Sequence, residues 1–237
     1  QKQQEQKEMF DLCAKITFPF MPGCEPDGPT ALTLAQKYPE LSRADIVRFL
    51  VARKGNLKAA DEMIEKCQSW RRSSFPLKKN EVSAAFGTKC FFPYGQAKDG
   101  SPIVYMRGGL YDANIATPQQ YVLAAAYTID YSLRQYPDQV NVTVIVHTVN
   151  IPGGPNQAAD NNFIKLFIQV LSDNYPERLK RLAIFPFPWY GRAIWGVLKV
   201  FVDKRTQDKV MLLSKGSDKG IPPELADVLD INQVPEF

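Results

Sequence analysis

His147 is the single histidine of the 237 residues, so it is the one side chain whose ordinary pKa would let it exchange a proton near neutrality. It closes a run of β-branched residues, VNVTVIVHTVN, and two readings attach to it: a hydrogen-bonded imidazole at a strand end, or a general base or haem ligand. Asp160 and Asp173 fall 13 residues apart on one predicted helix, with no further group to make paired-carboxylate chemistry. The sequence has no GxSxG elbow, GxGxxG turn, Walker loop or HExxH. The glycine pairs Gly108-Gly109 and Gly153-Gly154 lack the neighbours of a phosphate loop. Cys13, Cys24, Cys67 and Cys90 form no CxxC, and one histidine cannot complete a zinc finger. No catalytic residue, metal ligand set or cofactor fingerprint emerges, and the reading is a protein that is not an enzyme.

Composition narrows the class further. Apolar residues make 45% and charged residues 23%, which excludes a disordered or fibrous chain, and a net charge of +4 falls short of a nucleic-acid footprint. The opening QKQQEQKEM carries no secretory signal, and no apolar run approaches the roughly 18 residues of a spanning helix. The expectation is a cytoplasmic chain with reduced thiols. A sequon at Asn141-Val142-Thr143 lies inside a predicted core strand and is taken as chance.

These residues need elements to position them. Residues 1–16 carry Met9, Leu12, Cys13 and Ile16 at helical spacing, and FPFMPGCEPDGP then breaks the period as a linker. From Leu32 to Arg72 the period is helical, with Ser42 and Asp45 as a capping pair for a helix through Ala52 and Asn56 capping a second from Leu57. After Phe75, KCFFPYG and SPIVYMR read as neighbouring strands, followed by a helix from Pro118 to about Arg134 and the strand that His147 closes. A helix over Ala158–Asn174 and a strand over Leu182–Phe185 complete the alternation, which implies crossovers and a largely parallel sheet. The divisions are 1–31, a helix and linker; 32–75, a small helical subdomain; and 76–237, an α/β domain.

Residues 187–202, FPWYGRAIWGVLKVFV, have Arg192 and Lys199 as their only charges, where a surface helix would show a polar face. At about 1.5 Å per residue a helix here is roughly 21 Å long, too short to cross a bilayer. It is either buried on all sides or covers an apolar cavity with one face and meets a membrane with the other. Gly191, Gly196, Gly216 and Gly220 supply hinges.

Two long segments also carry a resemblance. IVRFLVARKGNLKAADEMIEKCQSWRR resembles the N-terminal signature of the CRAL-TRIO family, and NYPERLKRLAIFPFPWYGRAIWGVLKVFVDKRTQDKVMLL resembles its lipid pocket and gate, with DGSPIVYMRGG where the family has its early hairpin. The resemblance runs from Leu32 to Phe237. It implies a helical cap packed on a mixed, largely parallel sheet with flanking helices, and a pocket for one amphipathic lipid closed by a gate helix. Gate residues would be Trp189, Tyr190, Ile194, Trp195, Leu198, Phe201 and Val202; the Val140–Val149 run with His147, Phe163, Leu166, Phe167 and Val170 would line the walls. In phosphoinositide-binding members, bases matching Lys199, Lys54 and Arg53 contact the headgroup phosphate, while the family's acidic partner for the inositol ring falls on Leu166 and its Asp and Gly after the core strand are replaced by HTVNIPGG. Glu177 and Arg178 read as structural links.

The implied function is exchange of a phospholipid, such as phosphatidylinositol or phosphatidylcholine, at cytosolic membrane surfaces. No cofactor is expected beyond the bound lipid and no nucleic acid; the membrane contact is transient, and protein partners are open. The alternatives are a lipid-sensing module of a larger protein, since the chain stops at VPEF where the family usually continues, or a carrier of a retinoid, tocopherol or haem.

Overall fold

The computed structural model describes residues 2–17, 19–157, 161–187, 195–196, 199–214, 221–230, 232 and 234. Four helices come first: α1 (Lys2–Ala14), α2 (Pro29–Lys37), α3 (Arg43–Ala52) and α4 (Leu57–Ser74). Their starts follow from capping chemistry. The Ser42 hydroxyl accepts from the Asp45 amide at 3.0 Å, and the Asn56 side-chain oxygen Oδ1 accepts from the Ala59 amide at 2.9 Å, each satisfying a first-turn donor that the helix leaves free. The core of this unit joins Leu34, Ile46, Leu50, Ile64 and Cys67 to Cys13, Ile16 and Cys24, so α1 and the linker after it pack into the same cluster as α2 to α4. Gly55, with φ +75°, lets the α3–α4 turn press on the linker, because a Cβ there would overlap the Pro22 carbonyl oxygen.

A short helix α5 (Lys79–Gly87) leads to the sheet: β1 (Phe91–Gln96), β2 (Pro102–Arg107), α6 (Pro118–Gln135), β3 (Val142–His147), α7 (Asn161–Asn174), β4 (Leu179–Phe185), α8 (Lys204–Gln207) and β5 (Val210–Leu212). The strands lie in the order β1-β2-β3-β4-β5; β1 runs antiparallel to β2 and all other neighbours are parallel, giving the mixed, largely parallel α/β fold that the alternation implies. A full capping box between Thr117 and Gln120, with Pro118 in the first turn, starts α6.

Strand alternation divides the sheet's side chains between two layers. Val104, Val142 and Val144 pack with Ala126 and Ile129 of α6 and with Tyr175 just beyond α7. Ile103, Tyr105, Ile145, Ala183 and Phe185 pack on the other face against Leu225, Val228 and Leu229 of the C-terminal segment. That segment is strapped across the face by the Lys98 amide, which donates to the Val228 carbonyl at 2.8 Å.

The sequence reading misses two elements and starts one strand three residues late. The helix α5 and strand β5 go unannounced by periodicity, being short at 9 and 3 residues. β4 begins at Leu179 rather than Leu182, because Lys180 and Arg181 interrupt the apolar pattern; Arg181 turns outward, 4.0 Å from Asp99. The expected first turn of α7, 158–160, lies outside the described residues. Asn141 is 7% exposed and donates to the Glu177 carbonyl at 2.7 Å, so the sequon is structural.

The helical unit is fastened to the sheet by a buried ionic cluster. Arg178, just before β4, donates to Asp45 at 2.7 Å and to the Val140 carbonyl at 2.8 Å; Arg48 donates to the same Asp45 oxygen at 2.8 Å and to the Pro176 carbonyl at 2.7 Å. Burial alone would raise the Asp45 pKa, but Arg48 and Arg178 outweigh it and hold the carboxyl well below the usual range. Asp45→Asn should therefore leave two buried guanidinium groups facing one another and cost about 3–5 kcal/mol in urea unfolding. Because the folded Asp45 pKa is depressed, its contribution is full above the ordinary carboxylate pKa and lost as the pH falls below it, so the substitution should also flatten the stability profile in that acid limb.

Candidate functional site

One register row crosses four strands. Met106 pairs with Val146, Val146 with Ile184, and Ile184 with Leu212, and all four side chains are half-buried. Leu182, two residues before Ile184 on the same face, is half-buried as well. This is the face that Val104 and Val144 share, toward α6 and α7. Along α7, Ile164, Ile168 and Leu171 repeat at helical spacing and are also half-buried, and Leu171 packs in the same cluster as Val146 and Leu182. The arrangement is an apolar floor with one apolar wall at the carboxyl ends of the parallel strands, where open α/β sheets take their ligands.

The wall residues named from sequence divide among three environments. Phe163 is 3% exposed and stacks on Tyr111 at 4.8 Å, and Phe167 stacks on Phe91 at 6.1 Å, both in an aromatic cluster over β1. Leu166 and Val170 pack against the edge of that cluster and also line an external groove of about 560 Å³ between α4 and α7, together with Arg53, Glu62, Lys66, Trp70 and Asp173. The structure thus brings Arg53 to Leu166. Lys54 and Lys199 do not line that groove. Lys54 is exposed just beyond α3 with φ +54°, and Lys199 is exposed in a short 3-10 turn whose carbonyl accepts from Gln207 at 2.8 Å. Of the gate residues, Trp195 and Val202 are half-buried, while Trp189, Tyr190, Ile194 and Leu198 lie outside the described residues, as does the Phe201 side chain. Val200, next to Lys199, is 72% exposed.

His147 is corrected as a wall residue. It lies on the face of Ile145, opposite Val146, 5% exposed and with its ring 4.9 Å from that of Phe185. Burial first, and then the charge of Arg107, push its pKa down to about 4, so the imidazole is neutral at pH 7. Among the described residues no group of three His, Cys, Asp or Glu side chains could hold a metal ion. All four cysteines are free and buried, and burial pushes the thiols of Cys13 and Cys90 up to about 12, which removes them as nucleophiles.

Sequence reasoning overlooks Ile164, Ile168, Leu171, Ile184 and Leu212. The signal that finds them is phase: once Val144 is known to face α6, Val146, Leu182 and Ile184 follow by alternation. The bases after the gate segment are engaged too. Glu177, its side chain 9% exposed, is 3.2 Å from Lys209 and 3.5 Å from Arg205, and Lys204 pairs with Asp208.

The family model of the CRAL/TRIO domain matches residues 86–237. Among curated relatives, the phosphatidylinositol/phosphatidylcholine transfer protein SFH12 of Arabidopsis thaliana is 24% identical over 81% of this chain and 38% of its own length. The phosphatidylinositol transfer protein PDR17 of Saccharomyces cerevisiae is 25% identical over 80% of this chain and 57% of its own. The chain therefore spans about two fifths to three fifths of the length of these relatives. The crystal structure of Sfh5 superposes with a TM-score of 0.59 at 18% identity, covering 78% of this chain and 69% of that one, a likeness of fold.

The depressed His147 pKa has a testable sign. Between its ordinary pKa of 6.5 and about 4 the unfolded chain binds the proton and the folded one does not, so stability falls as the pH drops through that window. The slope should reach at most about 1.4 kcal/mol per pH unit in urea titrations, and His147→Gln should remove it. A slope that survives the substitution assigns the effect to another group.

Proposed function

The chain belongs to the CRAL/TRIO family, and on that premise we propose that it is a lipid-binding and lipid-transfer protein that exchanges a phospholipid or a similarly sized hydrophobic molecule at cytosolic membrane surfaces. The observation that carries the reading is the half-buried row Met106, Val146, Ile184 and Leu212, with Leu171 of α7 packed in the same cluster as Val146: apolar side chains from four strands, aligned at one end of the sheet, suit an acyl chain. The names of two relatives, as transfer proteins for phosphatidylinositol or phosphatidylcholine, support the phospholipid class. No described helix is long and apolar enough to cross a membrane, which agrees with a carrier that visits the bilayer. No catalytic constellation is required: the reaction is the movement of one molecule between two apolar environments.

In this reading Arg53 would meet an anionic headgroup from the groove beside Leu166 and Val170, and Lys199 would do so from its exposed turn. In the inositol-specific reading an acidic side chain would stand at Leu166; the groove carries Glu62 and Asp173 as well as Arg53 and Lys66, so the charge around Leu166 is mixed. The second reading, a lipid-sensing module within a longer protein, is favoured by the 38% of SFH12 that the chain spans.

The decisive experiment pairs mass spectrometry of an organic extract of the purified chain with vesicle transfer. One lipid per chain is the expected result. Ile184→Trp should then occupy the lipid's place, lowering bound and transferred lipid about tenfold with little change in melting temperature, whereas a row packed by protein would lose about 1–3 kcal/mol of stability to the added volume. An empty extract together with no transfer would overturn the proposal. Arg53→Ala and Lys199→Ala should lower transfer of anionic lipid relative to phosphatidylcholine, each by about threefold to tenfold for an exposed or half-exposed charge-assisted contact; equal loss for both lipids would place the headgroup elsewhere.

A further inference from the structure

Arg71 and Arg72 are the chain's one Arg-Arg pair and Ser73-Ser74 its one Ser-Ser pair, and the two stand side by side with Phe75 after them. The run Arg-Arg-Ser-Ser-Phe sets guanidinium groups three and two residues before a serine and an apolar ring directly behind it. A protein kinase whose peptide groove carries carboxylates would grip the two guanidinium forks through charge-assisted hydrogen bonds and seat the ring in an apolar pocket.

The fold puts this run at the seam between the helical unit and the sheet. Ser74 is the last residue of α4, Phe75 is extended at φ −131°, ψ 149°, and residues 75–78 form the non-helical connection to α5. Arg72, Ser73, Pro76 and Lys78 are exposed and Ser74 is half-buried. The last carbonyls of a helix have no intrahelical donor, so unwinding from this end is the least costly local opening that offers an extended substrate. The Ser73 hydroxyl donates to the Trp70 carbonyl at 2.9 Å, which ties it back to the helix and sets it apart from Ser74. Arg71 is held more firmly: it donates to both carboxylate oxygens of Asp130 on α6, at 2.8 and 3.3 Å, and lies 5.1 Å from the Tyr175 ring and 5.9 Å from the Phe75 ring.

We propose that Ser74 is a phosphoacceptor for arginine-directed protein kinases, recognised through Arg71 and Arg72, and that the phosphate loosens the Arg71–Asp130 tie between α4 and α6. In the transfer the Ser74 hydroxyl oxygen bonds to the γ-phosphorus of ATP, the bond from that phosphorus to the β,γ-bridging oxygen breaks, ADP leaves with the electron pair, and the serine proton passes to the kinase's base. The product places close to two negative charges at a helix C-terminus, where the backbone dipole already disfavours them, one turn from Arg71. The phosphate oxygens then compete with Asp130 for the guanidinium fork. Because Arg71 on α4 touches α6 and the Tyr175 ring beyond α7, its release loosens α4 from both at this end.

The test uses the full chain, the catalytic subunit of an arginine-directed serine/threonine kinase and ATP, with sites mapped by fragmentation mass spectrometry. The expected result is phosphate on Ser74, lost in Ser74→Ala and kept in Ser73→Ala, with Arg72→Ala lowering kcat/KM about tenfold or more while the circular dichroism is unchanged. In the phosphorylated chain, amide exchange in the last turn of α4 and around Asp130 should rise about fivefold or more. Phosphate on a peptide of residues 69–78 but none on the folded chain, or phosphate on Ser73 in preference to Ser74, overturns the site. Phosphate on Ser74 with unchanged exchange overturns the coupling to Asp130.

Discussion

The turn Tyr175-Pro176-Glu177-Arg178 holds three parts of the molecule through buried charge, and the rest of the structure depends on it. Arg178 reaches α3 through Asp45, while the Pro176 carbonyl receives Arg48 from the same helix. Glu177 turns the other way, to Lys209 before β5 and Arg205 on α8. Such a cluster is a poor source of net stability, since desolvating each ion offsets much of the attraction, but any misplaced partner leaves a buried charge alone. Its effect is to specify geometry. The helical unit, the start of β4 and the segment after residue 202 have one mutual arrangement in which every charge is met.

That arrangement determines which face of the sheet is sealed. Leu225, Val228 and Leu229 close the face of Tyr105, Ile145 and Phe185, where even His147 is stripped of water and neutral. The opposite face is close-packed where α6 lies over Val104, Val142 and Val144, and only half-buried at the next row toward the strand ends. The difference is one of position along the strands, because Val144 and Val146 are two residues apart on the same face. Among the described residues, helix coverage thus thins from the row of Val144 to that of Val146 without any change in residue chemistry.

This explains what could be read in the sequence. Ser42, Asn56 and Thr117 announce their helices because a cap is a local interaction between residues three apart. The alternation of β2, β3 and the later half of β4 is equally local, and two long segments carry the family's character. The phase of α7 is not local. Its apolar residues wrap round much of the helix, and only the placement of α4 and β3 brings Leu166 and Val170 to the external groove and Leu171 to the cluster of Val146 and Leu182. β5 escapes notice because a three-residue edge strand has too short a period to register, and its pairing partner, β4, begins under the two charges Lys180 and Arg181.

A carrier of the proposed kind needs an apolar interior of ordinary strength. Enclosing a 16-carbon chain is worth about 13 kcal/mol at about 0.8 kcal/mol per methylene, close to what a bilayer returns for the same chain, so tight and loose walls alike leave the exchange near balance. Selection must then come from the few polar groups near the ligand's head and from the rate at which the cavity opens. The groove that Arg53 and Leu166 line is formed by α4 and α7, and α7 runs directly into the turn that Asp45 and Arg48 hold. That end of α7 cannot shift without disturbing the hydrogen bonds that Arg178 gives to Asp45 and Arg48 gives to the Pro176 carbonyl.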